Sequence, residues 1–204
     1  MSAVFFDIDG TLHRGDIFKQ YVQMLALASW PRTLVVFPLL VVALATYLAI
    51  PDRTWSLNFV LSLLTFGRSR EDLKQLESKF VAEFQNRLYP FRDVLDRLSA
   101  YAKDGREVFL ISGSPEHLVK SIYPELLGLG KVEVIGSQLA WTFGCFLIRE
   151  RCVCDNKVRM LNQRIGRHIT LHAGYSDSKK DFPLLRICRH RYRVSRQGAI
   201  SPWV

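Results

Sequence analysis

The run Ala3-Val4-Phe5-Phe6, breaking at once into Asp7-Ile8-Asp9-Gly10-Thr11, constrains this chain more than any other stretch. A short apolar run entering a polar, glycine-bearing turn predicts a buried strand that delivers side chains at its carboxyl end. Asp7 and Asp9 are separated by one residue where the chain turns, so both carboxylates can converge on one cavity. Two close carboxylates repel one another, and a divalent cation with a lysine nearby is the simplest way to hold them ionised. Taken alone, the same turn also suits an ordinary Asx-turn loop. Its meaning depends on what the rest of the chain brings to it.

Two further strands are predicted to end in the same manner. After the turn signal Asp104-Gly105, the run Glu107 to Ile111 ends at Ser112-Gly113-Ser114-Pro115, and His168 to Ala173 ends at Gly174-Tyr175-Ser176-Asp177. Val132 to Ile135 reads as another strand, Trp141 to Ile148 as a small hairpin around Gly144, and Tyr192 to Ser195 as a last strand. Helices are predicted from Phe18 through Ala28, over Arg68 to Arg87 with Leu73, Leu76, Phe80 and Phe84 on one face, over Phe91 to Lys103, Glu116 to Leu127 and Asn156 to Ile165. Strands separated by helices indicate an α/β fold with a mainly parallel sheet. Ligands of such sheets sit beyond the carboxyl ends of the strands, where Asp7 and Asp9, Ser112 and Asp177 all fall.

These groups have the composition of a phosphoryl-transfer site. Magnesium prefers oxygen ligands and keeps several waters, so Asp7, the Ile8 backbone carbonyl and Asp177 are candidate ligands, with Asp9 off the metal. Asp7 is the candidate nucleophile for in-line attack on phosphorus. Asp9 is placed to protonate the departing alkoxide and then to take a proton from the water that cleaves the acyl phosphate. Thr11 and Ser112 offer hydroxyls to the phosphoryl oxygens, and the amides around Gly10 and Gly113 complete the cradle. Lys157 supplies positive charge, and Asp181, four residues beyond Asp177, is placed to position a metal-bound water or Lys157. His13 is near enough to the nucleophile loop either to touch a substrate or leaving group or to serve as a polar loop residue.

In this order, Asp7-Ile8-Asp9-Gly10-Thr11, Ser112-Gly113-Ser114, Lys157 and Gly174-Tyr175-Ser176-Asp177-Ser178-Lys179-Lys180-Asp181 resemble the four motifs of the haloacid dehalogenase superfamily of phosphatases, in the branch that includes the phosphoserine phosphatases. Phe5-Phe6-Asp7-Ile8-Asp9-Gly10-Thr11-Leu12-His13 and Thr65-Phe66-Gly67 look most like the bacterial phosphatidylglycerophosphatases of the C type. The resemblance implies a Rossmann-like core, a phosphoaspartate on Asp7, Mg2+, and a helical cap inserted between the first two motifs. Residues 1–17 and 88–204 would form the core and 18–87 the cap. Relatives often carry glycine three residues before the motif lysine, where this chain has Cys154; Lys179 or Lys180 is the alternative to Lys157.

Between the first two motifs the chain changes character. Thr33 through Pro51 holds no charged residue, and as a helix it would be roughly 29 Å long, close to the hydrocarbon thickness of a bilayer. A single crossing would place Asp7 and Ser112 on opposite sides of a membrane, so the chain must return, and Trp55 to Phe66 is short for a full span. An apolar membrane-associated hairpin over 33–66 is therefore expected, kinked at Pro38 and interrupted near Pro51. Arg14, Lys19, Arg32, Arg68 and Arg70 flank it, as suits the cytoplasmic face of a bacterial inner membrane and anionic lipid head groups. With the resemblance, this points to an anionic phospholipid substrate, phosphatidylglycerophosphate, dephosphorylated to phosphatidylglycerol. A phosphatase of the phosphoserine type acting on a small soluble substrate, or a non-catalytic membrane adaptor of the same fold, are the competing readings.

The formal charge of +9 favours a polyanionic partner without naming it. Nucleic acid is not expected, because Arg189 to Arg196 is arginine-rich but lacks a basic face with stacking aromatics. Cys152 and Cys154 stand one residue apart, and no second C-x-x-C completes a zinc site, so Cys145, Cys152, Cys154 and Cys188 read as reduced thiols. Met1 to Thr11 has no signal-peptide pattern, so the catalytic part is expected in the cytoplasm.

Overall fold

The computed structural model describes residues 3–28, 30–49, 53–166 and 168–203. Its sheet is built around β1 (Val4–Phe6), a strand of three fully buried residues. β2 (Val108–Pro115) and β5 (Leu171–Ser176) flank β1 in parallel register, pairing Val4 with Val108 on one side and with Ala173 on the other. β3 (Val132–Thr142) and β6 (Cys188–Val194) extend the parallel sheet outward. Antiparallel strands β4 (Cys145–Glu150) and β7 (Ile200–Pro202) close the two edges, giving the order β4-β3-β2-β1-β5-β6-β7. An apolar core lies on each face of this sheet, one around Phe6, Tyr175 and Leu110 and the other around Phe5, Phe109 and Leu161. Residues of alternating parity fill opposite faces, as the period of a strand requires.

The α/β class, the central parallel strands and most helices fall where the residues predict them. α1 (Ile17–Leu27) begins at Asp16, whose carboxylate accepts from the Lys19 amide. α4 (Arg70–Arg87) starts with a reciprocal capping box between Ser69 and Asp72 and buries Leu73, Phe80 and Phe84. α5 (Arg92–Lys103) covers the sheet with Val94, Leu98 and Ala102. The helix expected over Glu116 to Leu127 is two pieces, α6 (Glu116–Ile122) and α7 (Pro124–Leu127), because Pro124 lacks the amide that would continue the first. α8 (Asp155–Ile165) ends on Gly166 in the left-handed region, and α9 (Phe182–Arg186) leads into β6. The tail Gln197 to Val204, featureless as sequence, contributes β7.

The expected membrane-associated hairpin is corrected. α2 (Trp30–Ala49) and α3 (Arg53–Thr65) occupy that stretch, and among the described residues no helix is long and apolar enough to cross a membrane. Pro51 and Asp52, where the interruption was expected, lie outside the described residues. α2 runs on through Pro38. α3 is fastened to the edge strand β4 of the sheet: the Asn58 amide donates to the Ile148 carbonyl at 3.3 Å and accepts from the Ile148 amide at 2.6 Å, while the Phe146 amide donates to Thr65 Oγ1 at 2.9 Å. These side chains satisfy backbone groups that an edge strand would otherwise leave open. Leu61 and Leu64 are buried against the core, and Ser56 Oγ donates to Thr46 Oγ1 at 3.1 Å, tying α3 to α2. The inner-membrane placement, the membrane partner and the role in phospholipid synthesis rested on that hairpin and are withdrawn with it.

Candidate active site

Asp7 follows directly on β1, level with Ser176 at the end of β5 and with Ile111 of β2. Its amide donates to the Tyr175 carbonyl at 2.9 Å, which continues the parallel ladder by one residue and fixes where the carboxylate emerges. Lys157, in the first turn of α8, reaches the same point from the opposite side. Its Nζ donates to Asp7 Oδ1 at 2.6 Å and lies 2.7 Å from Asp181 Oδ1. Asp181 in turn accepts from Ser176 Oγ at 2.7 Å. All three charged groups of this chain of contacts are buried. Lys179 and Lys180, the alternatives to Lys157, are exposed.

Thr11 Oγ1 joins the loop after β1 to the Gly174–Asp177 segment, donating to Asp7 Oδ2 at 3.3 Å and accepting from the Asp177 amide at 3.1 Å. Gly10 is required here twice over. Its φ of 79° lies in the left-handed region, and a Cβ on it would meet Asp177 Oδ2 at 2.6 Å. The Asp177 carboxylate therefore lies directly over the loop that carries Asp7.

Asp9 turns toward the inserted helices. Its Oδ1 accepts from the Ile17 amide at the start of α1 at 2.7 Å, and its Oδ2 accepts from Ser112 Oγ at 2.6 Å and from Ser114 Oγ at 2.7 Å. Ser112 also accepts from the Ser114 amide at 2.9 Å, so its hydroxyl faces Asp9. The Gly113 carbonyl accepts from Ser137 Oγ at 2.6 Å, and a Cβ on Gly113 would press on Val153 at 3.2 Å. The Ile8 carbonyl, read as a metal ligand, instead accepts the amides of Thr11 and Leu12 at 3.0 and 2.9 Å and serves the turn. His13 is fully buried rather than set on a loop surface.

Burial raises Asp7, Asp9 and Asp177. It pushes Asp7 well above the ordinary carboxylate range, with Lys157 opposing and Asp181 adding to the rise. It lifts Asp9 to about 6, with Asp16 adding and the hydrogen bonds from Ile17, Ser112 and Ser114 opposing. It raises Asp177 as well, reinforced by Asp181. Burial alone would lower Lys157, but the Asp7 and Asp181 carboxylates outweigh it and keep the ammonium charged. Asp7, Asp181 and Asp177 thus share one ammonium, Lys157, and Asp9 lies close enough to Asp7 to raise it further.

That excess of negative charge on carboxylate oxygens fits a hard divalent cation. Among the described residues no group of three or more His, Cys, Asp or Glu is gathered into a metal cage. Magnesium does not need one, because it is commonly bound by one or two carboxylates plus water and substrate phosphate. Asp7 and Asp177 would be the carboxylates to hold it.

Several participants carry no local sequence signal. Ser114 is visible only as the second serine of Ser112-Gly113-Ser114, yet it binds Asp9 and accepts from the Phe18 amide at 3.1 Å, linking β2 to α1. Ser176 precedes the motif aspartate and holds Asp181. Cys154 has φ 49° and ψ −129°, a conformation that favours glycine.

The family model for haloacid dehalogenase-like hydrolases matches residues 4–186. A structure of a protein of unknown function from Bordetella pertussis Tohama I matches with a TM-score of 0.70 at 18% identity, covering 93% of this chain and 88% of that one. A phospho-aspartyl intermediate analogue of phosphoserine phosphatase matches with a TM-score of 0.57 at 14% identity, covering 93% and 84%. A phosphoserine phosphohydrolase-like protein from Francisella tularensis matches with a TM-score of 0.58 at 15% identity, covering 94% and 86%. At such identities these structures share the fold, and it is the family model, spanning nearly the whole chain and both ends of the site, that makes this protein a member of the haloacid dehalogenase-like hydrolases.

Proposed function

We propose that this chain is a magnesium-dependent phosphomonoester hydrolase that passes through a phosphoaspartate on Asp7 and takes a small phosphomonoester of the phosphoserine kind. The observation that carries the reading is the buried Lys157, held between Asp7 and Asp181 at the carboxyl ends of adjacent parallel strands with the Asp177 carboxylate over Gly10. A bound magnesium ion supplies neutralisation of the phosphate charge that would otherwise repel an attacking carboxylate. The two phosphoserine phosphatase-type structures that share the fold support the substrate class. Among the described residues no helix is long and apolar enough to cross a membrane, so the hairpin on which a lipid substrate was expected gives it no support.

Asp7 attacks phosphorus in line, forming a bond from its carboxylate oxygen as the ester oxygen departs. Lys157 spreads positive charge to the phosphoryl oxygens as it does so, and Asp181 with Ser176 keeps the ammonium in place. Thr11 and Ser112 bring hydroxyls to the same oxygens, and the amide of Gly113 lies beside them. Asp9, buried and with its proton affinity raised to about 6, can hold a proton to give to the leaving alkoxide and lose it near neutrality. Its carboxylate then takes the proton of the water that cleaves the acyl phosphate.

The test is phosphate release from a panel of small phosphomonoesters that includes phosphoserine, with and without magnesium, for the natural chain and for Asp7→Asn. The reading expects magnesium-dependent turnover of the natural chain on at least one ester and none for Asp7→Asn, because an amide cannot form the phosphoryl anhydride. Turnover by Asp7→Asn equal to that of the natural chain would exclude it.

A further inference from the structure

His13 is fully buried in the turn after β1, between the catalytic loop and the inserted helices. Its Nδ1 lies 2.6 Å from the hydroxyl of Tyr123, a residue at the junction of α6 and α7, and its ring meets Phe84 of α4 edge-on at 5.3 Å. The other ring nitrogen is different. Nε2 is buried without a hydrogen-bond partner, and it points at Asp9 Oδ1 from 3.8 Å. A buried histidine serving only as packing would be expected to have both nitrogens satisfied.

The tautomer follows from the partners. Burial lowers the proton affinity of the imidazole to about 4, so the ring is neutral and one nitrogen carries the hydrogen. Burial raises the Tyr123 phenol, so it keeps its proton, and among the described residues the His13 ring is the acceptor available to it. The phenol donating to Nδ1 leaves the hydrogen on Nε2, where it faces the carboxylate. The opposite tautomer would set an Nε2 lone pair against a carboxylate oxygen and leave the phenol hydrogen unplaced.

We infer that His13, oriented by Tyr123, is a positioning residue for Asp9: its Nε2–H is the donor that holds the Asp9 carboxyl with Oδ2 toward the leaving group. The inference rests on the proposed phosphoaspartate chemistry. Ser112 donates to Asp9 Oδ2 and is also the hydroxyl assigned to the phosphoryl oxygens, so Asp9 loses that donor when Ser112 turns to substrate. A small rotation of the imidazole closes the 3.8 Å gap and replaces it on Oδ1, beside the Ile17 amide. In the first step the ester P–O bond breaks as the Asp7–phosphorus bond forms. The proton on Asp9 Oδ2 passes to the departing oxygen, and the carboxylate left behind is stabilised by both donors on Oδ1. In the second step, the oxygen of water bonds to phosphorus as its proton passes to Asp9, and the bond between phosphorus and the Asp7 oxygen breaks, freeing phosphate and the Asp7 carboxylate.

A group that acts through the acid matters most when the leaving group needs a proton. The test is kcat/KM, which reports formation of the phosphoenzyme, for para-nitrophenyl phosphate and for benzyl phosphate, esters of similar size whose alcohols differ widely in acidity. His13→Phe keeps the ring volume and the contact with Phe84, and should lose about tenfold to a hundredfold on benzyl phosphate but less than about threefold on para-nitrophenyl phosphate. His13→Gln, which restores a donor, should recover part of the loss. Tyr123→Phe removes only the hydroxyl that sets the tautomer, and should shift the ratio in the same direction by less; it carries the test if His13→Phe does not fold. Equal losses on the two esters, or no loss on either, would overturn the inference. Full activity of Asp7→Asn on both esters would instead overturn the phosphoaspartate reading beneath it.

Discussion

β1 and α2 are both runs of apolar side chains, yet they stand in opposite relations to the rest of the molecule. Val4, Phe5 and Phe6 are wholly buried, with a parallel strand on each side and a core on each face. Along α2, Leu34, Phe37, Val41 and Val42 are exposed, and Val35 reaches 81% exposure. The difference is in what surrounds each run. A central strand has four neighbours that its side chains must fit, whereas α2 touches the molecule chiefly along one edge, through Ala43, Leu40 and its packing on α3. Apolar composition therefore reports burial for β1 and does not for α2.

This contrast can be broken at four places, in falling order of effect. Lys157→Met removes the ammonium from between Asp7 and Asp181 and leaves two buried carboxylates facing one another. In metal-free buffer it should cost about 3–5 kcal/mol in urea unfolding, the range for breaking a buried ion pair from one side. Gly174→Ala places a Cβ 2.2 Å from Phe5 Cε1 and 2.8 Å from Cys188 Sγ, because Gly174 stands directly opposite Phe5 in the ladder. Overpacking there should cost roughly 2–3 kcal/mol by the same measurement.

Cys154→Gly should do the reverse. It relieves a backbone of φ 49° and ψ −129° at the entrance to α8 and should stabilise the chain by about 1 kcal/mol, read as a rise in melting temperature. Val35→Ser, at the most exposed apolar position of α2, should change unfolding by less than about 0.5 kcal/mol. A loss of about 2 kcal/mol there would show that α2 is packed as β1 is, and would erase the contrast.

The same contrast explains what was legible in the sequence. Asp7-Ile8-Asp9-Gly10-Thr11, Ser112 and Gly174 to Asp177 are local signals, because each is a strand end where apolar residues give way to polar ones, and the structure brings them to one place. Lys157 was legible from its order in the chain, and it reaches Asp7 although Cys154, three residues before it, has a positive φ. The α2 and α3 stretch was misread because hydropathy does not reveal that Asn58 and Thr65 would bond the open edge of β4. Tyr123 stands 110 residues from its partner His13, with no periodic pattern linking them. The Ile8 carbonyl was assigned without knowing that the tight turn closes on it twice. What the residues could not show is consistently a contact between distant segments.

The central claim is that Asp7, gathered with Lys157, Asp177 and Asp181, becomes a nucleophile toward phosphorus. Its most direct measurement is the intact mass of the protein, acid-quenched during turnover with magnesium and a phosphomonoester, followed by peptide mapping. The account predicts a fraction heavier by one phosphoryl group, labile to hydroxylamine, located on Asp7 and absent from Asp7→Asn. A turning-over protein that carries no such group, or carries it on another residue, would contradict it.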